Sequence, residues 1–188
     1  MIVAGIDPSL TSAGIAVLRD GSPILLRSIG FPSHDGASYT DRGRRIVAQA
    51  RHIMASLLPG GTPDLVVLEG PAYHAAYGHA FDRAGLWWGV FTALRAKLVP
   101  VAVMPPTTLK QWATGKGNAD KPIVLAAVRS WWPDVKITNH DIADACVLAA
   151  AGTLRLDGPV PFEPKPRHRD LLIDRISWPE RLWTASRH

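Results

Sequence analysis

Ile2-Val3-Ala4-Gly5-Ile6-Asp7-Pro8-Ser9 is an apolar run that ends on a carboxylate and is then broken by a proline. It reads as a buried strand over 2–7, because Pro8 cannot donate to a central ladder. Gly14-Ile15-Ala16-Val17-Leu18 reads as a second strand, Asp20-Gly21-Ser22 as a tight turn, and Ile24 to Ile29 as a third strand. Strands and turns at this spacing predict an antiparallel meander. A further apolar run, Leu65-Val66-Val67-Leu68, shows no polar alternation and ends at Glu69. Such a run suits a central parallel strand covered on both faces.

Helical patterns fill the intervals. Thr40 is placed to N-cap a helix from Asp41 to about Leu58, with Ile46, Val47, Ile53, Met54 and Leu57 at helical spacing and Pro59-Gly60-Gly61 as its stop. Phe81 to Leu98 reads as a long helix after a loop from Gly70 to Gly78. Pro100 to Met104 reads as a fifth strand stopped by Pro105-Pro106, and Thr107 to Lys121 as a polar Gly/Lys segment. Ile123 to Trp132 and the Ala-rich Asp141 to Leu154 read as helices. The order βββ-α-β-α-β-α-α predicts an α/β domain with one five-stranded mixed sheet flanked by helices.

The whole chain sets bounds on this reading. Its 188 residues fit one domain and a short appendage, and 47% hydrophobic with 20% charged residues excludes disorder over most of the length. No apolar run reaches the ~18–20 residues of a membrane span, and Met1 to Asp7 lacks the basic start of a signal peptide. Cys146 alone gives neither a disulfide nor a cysteine zinc site and suits a reducing cytoplasm. Lys and Arg exceed Asp and Glu by 21 to 16, a mild basic excess that permits a polyanionic partner. From Gly158 the composition shifts to Pro159, Pro161, Pro164 and Pro166, followed by Arg167-His168-Arg169. The expected division is therefore a domain over 1–157 and a Pro-rich basic tail over 158–188, with one short helix starting at Pro179.

The acids carry the chemistry. Asp7 and Glu69 end strands that, if parallel neighbours, project them at the same sheet edge, where open α/β sheets build their sites. Asp141 and Asp144 stand three apart on a helix and share a face. Alone, each acid fits a turn or a cap equally well, and Asp141 is placed to N-cap its own helix. Together they form a cluster that needs a cation, since like charges at close range resist joint ionisation. Oxygen-only donors suit Mg²⁺ or Mn²⁺. Two such ions about 4 Å apart activate water and stabilise the leaving oxygen in phosphodiester cleavage.

With these residues in hand, the chain resembles the RuvC-type Holliday-junction resolvases of the RNase H-like superfamily. The resemblance rests on Gly5-Ile6-Asp7-Pro8-Ser9-Leu10-Thr11-Ser12-Ala13-Gly14, on Leu65 to Glu69, on Pro105 to Lys110 running into Gly115 to Lys121, and on Asp141-Ile142-Ala143-Asp144-Ala145. Gly-Ile-Asp strands also occur in related nucleases and actin-like ATPases, whereas Lys110 and Lys121 around a Gly-rich turn are specific to RuvC. The match spans about residues 1–154. It leaves out the tail and a loop over Tyr73–His79 that is shorter than in the bacterial enzymes. The compact size and divergent tail look like phage versions. The resemblance implies an RNase H-like fold, a homodimer, and Mg²⁺-dependent nicking of two opposed strands of a four-way DNA junction, with Mn²⁺ as substitute, two ions per site, in the cytoplasm (the host's, if phage-encoded). It implies Asp7, Glu69, Asp141 and Asp144 as metal ligands, with Asp7 bridging both ions, and Lys110 and Lys121 as catalytic lysines. An aromatic after Glu69 would stack on a junction base, which points to Tyr73 or Tyr77, Tyr73 preferred.

Other residues fit a DNA surface. Lys110, Lys116 and Lys121 offer point charges for phosphates, and backbone N–H groups of 115–118 precede a helix. Arg42, Arg44, Arg45, Arg51, Arg167 and Arg169 are equally backbone contacts or solvated charge. Trp87, Trp88 and Phe91 lie in a helix that is apolar nearly all round, which predicts burial on two sides, against the sheet and against either a homodimer partner, as the resemblance implies, or the chain's own C-terminal tail. His74, His79 and His140 could assist catalysis but read first as polar surface or hydrogen-bonding residues, Trp112 as packing under Lys110, and Trp131, Trp132, Trp178 and Trp183 as core or tail-docking residues. Rival readings are an RNase H-like nuclease for flaps, forks, RNA–DNA hybrids or RNA, an actin-like nucleotide-binding domain, and a non-catalytic junction binder. The lysine segment disfavours the first, the length of the chain the second, and the full acidic set the third.

Overall fold

A computed structural model describes residues 1–32, 34–57, 60–71 and 80–180. The meander is present as β1 (Ile2–Asp7), β2 (Ala13–Arg19) and β3 (Ser22–Ile29). Asp20 and Gly21 both take positive φ, 48° and 79°, the two-residue turn whose twist matches antiparallel strands. β4 (Leu65–Glu69) lies parallel to β1, β5 (Val101–Met104) lies parallel to β4, and the sheet order is β3-β2-β1-β4-β5. Ile6 pairs with Leu68, so Asp7 and Glu69 are the next residues at the same end of neighbouring strands.

The continuous apolar run of β4 is explained by two cores. Leu65 and Val67 face one, Val66 and Leu68 the other, and all four are fully buried. One side carries α1 (Tyr39–Leu57) and α2 (Ala80–Ala96), packed on each other. The other carries α3 (Pro106–Thr114), α4 (Lys121–Trp131), α5 (His140–Arg155) and α6 (Pro166–Asp174). The small side chains of α5 let it lie close against the sheet: a Cβ on Gly5 would collide with the backbone of Ala145 and Ala149. The carbon-rich mass under the sheet on this side is the principal hydrophobic contribution to folding.

Several boundaries differ from the sequence reading. α1 begins two residues earlier, at Tyr39, and Ser38 caps it: its Oγ accepts from Asp41 N at 3.1 Å, leaving Thr40 inside the helix. The segment 107–121 is not a polar loop throughout. α3 occupies its first part, with Pro105 at the N-cap, Pro106 at the first helical position and Gly115 in the left-handed conformation (φ 86°) at its end. Thr108, Leu109, Trp112 and Ala113 supply the buried face that polar neighbours obscured in the sequence. The short helix expected from Pro179 falls, past Glu180, outside the described residues. The tail before it forms α6, and Ser177 then pairs with Val103 on edge strand β5 through bonds of 2.8 and 3.0 Å.

The tail packs into the same core as α5. Leu171, Leu172 and Ile176 are buried there, and Phe162 and Trp131 enclose Trp112, which has no exposed surface. Trp112 Nε1 donates to His168 O at 3.0 Å, and Trp178 Nε1 to Leu172 O at 2.5 Å. His168 is 3% exposed. Burial and the nearby Arg167 and Lys165 charges push its pKa down to about 4. No described helix is long and apolar enough to cross a membrane.

Candidate active site

Four acids meet at the end of the sheet where β1 and β4 stop. Asp7 and Glu69 end adjacent parallel strands and interact with each other. Burial raises both above the ordinary carboxyl range. The charges of Asp141 on Asp7, and of Asp7 and Asp144 on Glu69, add to the rise. Asp144 is pushed up to about 7, first by burial and then by Asp7, with a smaller contribution from Asp141. Lys121 opposes the rise at Asp7, Glu69 and Asp144, and Lys110 opposes it at Asp144. Both lysines therefore act electrostatically on the acids, Lys110 from α3 and Lys121 from the first residue of α4.

The approach of α5 to β1 and β2 depends on a missing side chain. Gly14 pairs with Asp7 across β1 and β2, and a Cβ on Gly14 would run into the Asp141 carbonyl. Asn139, not Asp141, caps α5: its side chain accepts from Ile142 N at 2.9 Å. The Asp141 carboxylate is thereby released from capping, and it accepts instead from Ser12 Oγ at 2.5 Å. Ser12 in turn contacts Ser28 Oγ at 2.9 Å.

The loop between β1 and β2 is tied down from below. Gln49 is fully buried on α1, and its Nε2 donates to Ser9 O and to Ile29 O, both at 2.7 Å. Ser9 Oγ accepts from Thr11 N and Ser12 N, each at 3.3 Å. On the other strand, Trp87 Nε1 donates to Glu69 O at 2.8 Å. These supports were not read from the sequence. Gln49 and Trp87 lie on helices remote in the chain, and a serine in a hydroxyl-rich loop carries no signal of its partner.

The donor set fits a hard divalent cation. It contains only carboxylate oxygens, and its raised carboxyls mark charge that a cation would relieve. Cys146 is buried with its thiol pushed up to about 12, so it offers no thiolate. The acids are gathered but not closed into a ready-made cage. Among the described residues no group of three or more His, Cys, Asp or Glu side chains is already arranged to hold an ion.

The remaining candidates divide. Lys116 is exposed on the turn after α3, its N–H bonded to Thr114 Oγ1 at 3.1 Å. Tyr73, Tyr77, His74 and His79 lie outside the described residues, as does Trp183. Trp87 is only 9% exposed and stacks on Phe91 within the chain's own core, whereas Trp88 on the next position is 57% exposed. Arg42 is engaged with Asp82 through bonds of 2.6 to 3.1 Å, Arg45 with Phe31 O at 2.7 and 3.0 Å, and Arg167 with Trp112 O at 3.4 Å. Arg44 pairs with Asp41 at 3.4 Å, so four of the six arginines offered as phosphate contacts have structural partners.

No family model matches the chain. It is 30% identical over 154 residues to the crossover junction endodeoxyribonuclease RuvC of a Synechococcus strain, covering 81% of this chain and 97% of that one. It is 32% identical over 153 residues to the RuvC of Acidiphilium cryptum, covering 78% and 87%. The solved structure of Thermus thermophilus RuvC in complex with a Holliday junction substrate superposes with a TM-score of 0.65 at 21% identity, over 83% of this chain and 96% of that one, a likeness of fold.

Proposed function

The chain belongs to the RuvC family of crossover junction endodeoxyribonucleases, and on that premise we propose that it is a metal-dependent DNA endonuclease that resolves four-way junctions. The observation that carries the site assignment is the meeting of Asp7, Glu69 and Asp144, with Asp141 and the two lysines in electrostatic range, at one end of the sheet. Asp7, which interacts with both Glu69 and the α5 acids, is the proposed bridging ligand. Glu69 would complete one side, and Asp141 with Asp144 the other. Two Mg²⁺ ions, or Mn²⁺ in their place, would there activate a water and neutralise charge on the scissile phosphate and the leaving oxygen.

The chain's own residues do the rest. Lys110 and Lys121 approach the acids from the helical side and would neutralise phosphate oxygens as point charges, with Lys116 on a flanking phosphate. Tyr73 and Tyr77 are the proposed base-stacking residues. Trp88, 57% exposed, and its ring neighbour Phe91 on α2 are the proposed homodimer face. A dimer would present two sites to the two opposed strands. On the same family premise its action would be in the cytoplasm.

The test is cleavage of labelled four-way junction, flap, linear duplex and RNA–DNA hybrid with Mg²⁺ or Mn²⁺, beside an Asp7→Asn control. Paired nicking of the junction that disappears with EDTA and with Asp7→Asn is the expected result. Equal cleavage of linear duplex would refute junction specificity, and unchanged cleavage by Asp7→Asn would refute the site.

A further inference from the structure

We propose that Ser12 is a positioning residue for Asp141, acting through a Ser28–Ser12–Asp141 hydrogen-bond relay that fixes how the carboxylate is presented to the cation. The inference rests on the reading of Asp141 as a ligand. Ser12 Oγ donates its only proton to Asp141 Oδ2 at 2.5 Å. The 2.9 Å contact with Ser28 is therefore donated by Ser28, whose hydroxyl stands at the outer strand β3. One carboxylate oxygen of Asp141 is thus anchored within the protein.

The relay does more than fill a valence. An aspartate carboxylate turns in a broad, roughly two-fold torsional well, so packing alone fixes its plane poorly. A hydroxyl held at both ends fixes it. Ser12 is itself held: its N–H bonds Ser9 Oγ at 3.3 Å, and Gln49 from α1 clamps the Ser9 and Ile29 carbonyls on either side. Ser12 lies in the connection that leaves Asp7, and Asp141 lies on α5. The bond between them therefore sets the spacing of two elements that each carry a proposed ligand. Asn139 completes the arrangement by taking over the cap of α5, which leaves Asp141 available to Ser12.

The experiment is Mn²⁺ binding to the full chain without DNA, by isothermal titration, for the wild type, Ser12→Ala, Ser12→Thr, Ser28→Ala and Asp141→Asn. Ser12→Ala is expected to weaken Mn²⁺ about tenfold, while Ser12→Thr restores binding and the metal-free Tm of both stays near that of the wild type. In cleavage, Ser12→Ala raises the Mn²⁺ concentration for half-maximal rate and leaves kcat at saturating metal nearly unchanged. Wild-type Mn²⁺ affinity in Ser12→Ala, with a loss in Asp141→Asn, overturns the inference and leaves the site standing. Wild-type affinity in Asp141→Asn overturns the site itself. If Ser12→Ala does not fold, Ser28→Ala on the outer strand decides, with a smaller loss expected and unchanged binding contradicting the relay.

Discussion

Gly14→Ala tests how the acids are brought together. The added Cβ would lie on the Asp141 carbonyl, well inside the 3.0 Å that real Cβ contacts do not cross, and the next atoms met are Asp141 C and Ile142 N. All are backbone, so no flexible side chain can turn aside. The first turn of α5 must withdraw from β2 by roughly 1 Å or more, because a packed interior has no slack to absorb the methyl group. Overpacking of this kind costs about 1–3 kcal/mol of stability. A displacement of about 1 Å in a catalytic group costs about a hundredfold in rate. The displaced residue is Asp141 itself, so junction cleavage at saturating Mg²⁺ should fall about a hundredfold under conditions where circular dichroism shows the chain still folded. Gly43→Ala is the matched control: Gly43 lies inside α1 with nothing within 4 Å of an added Cβ. Alanine there should stabilise by up to about 1 kcal/mol and leave cleavage unchanged. A folded Gly14→Ala chain that cleaves within about threefold of wild type would refute the claim that this glycine sets the approach of α5.

The buried imidazole of His168 makes stability depend on pH. Its folded pKa, about 4, lies below the ordinary 6.5, so the unfolded chain binds the extra proton. Its contribution is complete above pH 6.5 and is lost as pH falls towards 4, by at most about 3 kcal/mol, which urea unfolding at pH 7 and pH 4.5 should register and His168→Gln should abolish. A chain ending at Asp157 loses buried Leu171, Leu172 and Ile176 and the cover over Trp112. At about 1.5–3 kcal/mol per buried side chain the loss rivals the whole stability of a domain, and a cooperative melt at the wild-type temperature would contradict it. Trp88→Arg should shift the chain from dimer to monomer in sedimentation and leave the fold intact, because Trp88 is half exposed. Trp87→Ala, which removes a core ring and the bond to Glu69 O, should cost about 3–5 kcal/mol in unfolding measurements.

Much of the architecture is legible in local pattern. Strands β1 to β5 are marked by apolar runs punctuated by Pro, Gly and Asp, and the unbroken run of Leu65 to Leu68 announces a strand with two covered faces. That Asp7 and Glu69 close such runs, and that Asp141 and Asp144 share a helix face, follows from strand and helix periodicity alone. The order of these residues carries the resemblance to the RuvC family. α3 was hidden because its buried face, Thr108, Leu109, Trp112 and Ala113, is interleaved with polar residues whose exposure only the packed helix reveals. The tail was hidden because a proline-rich composition describes the unbound chain and not the core it joins.

The sequence by itself determined the five strands, the helices other than α3 and α6, and which acids stand at their ends, since those depend on contacts within a few residues. Only the tertiary structure decided that Asn139 caps α5 and Ser12 takes Asp141, that Trp87 turns inward while Trp88 faces out, and that α6 locks onto Trp112. Those choices are made between residues far apart in the chain. Each depends on which faces meet when the two cores close around the sheet, and no local period records that.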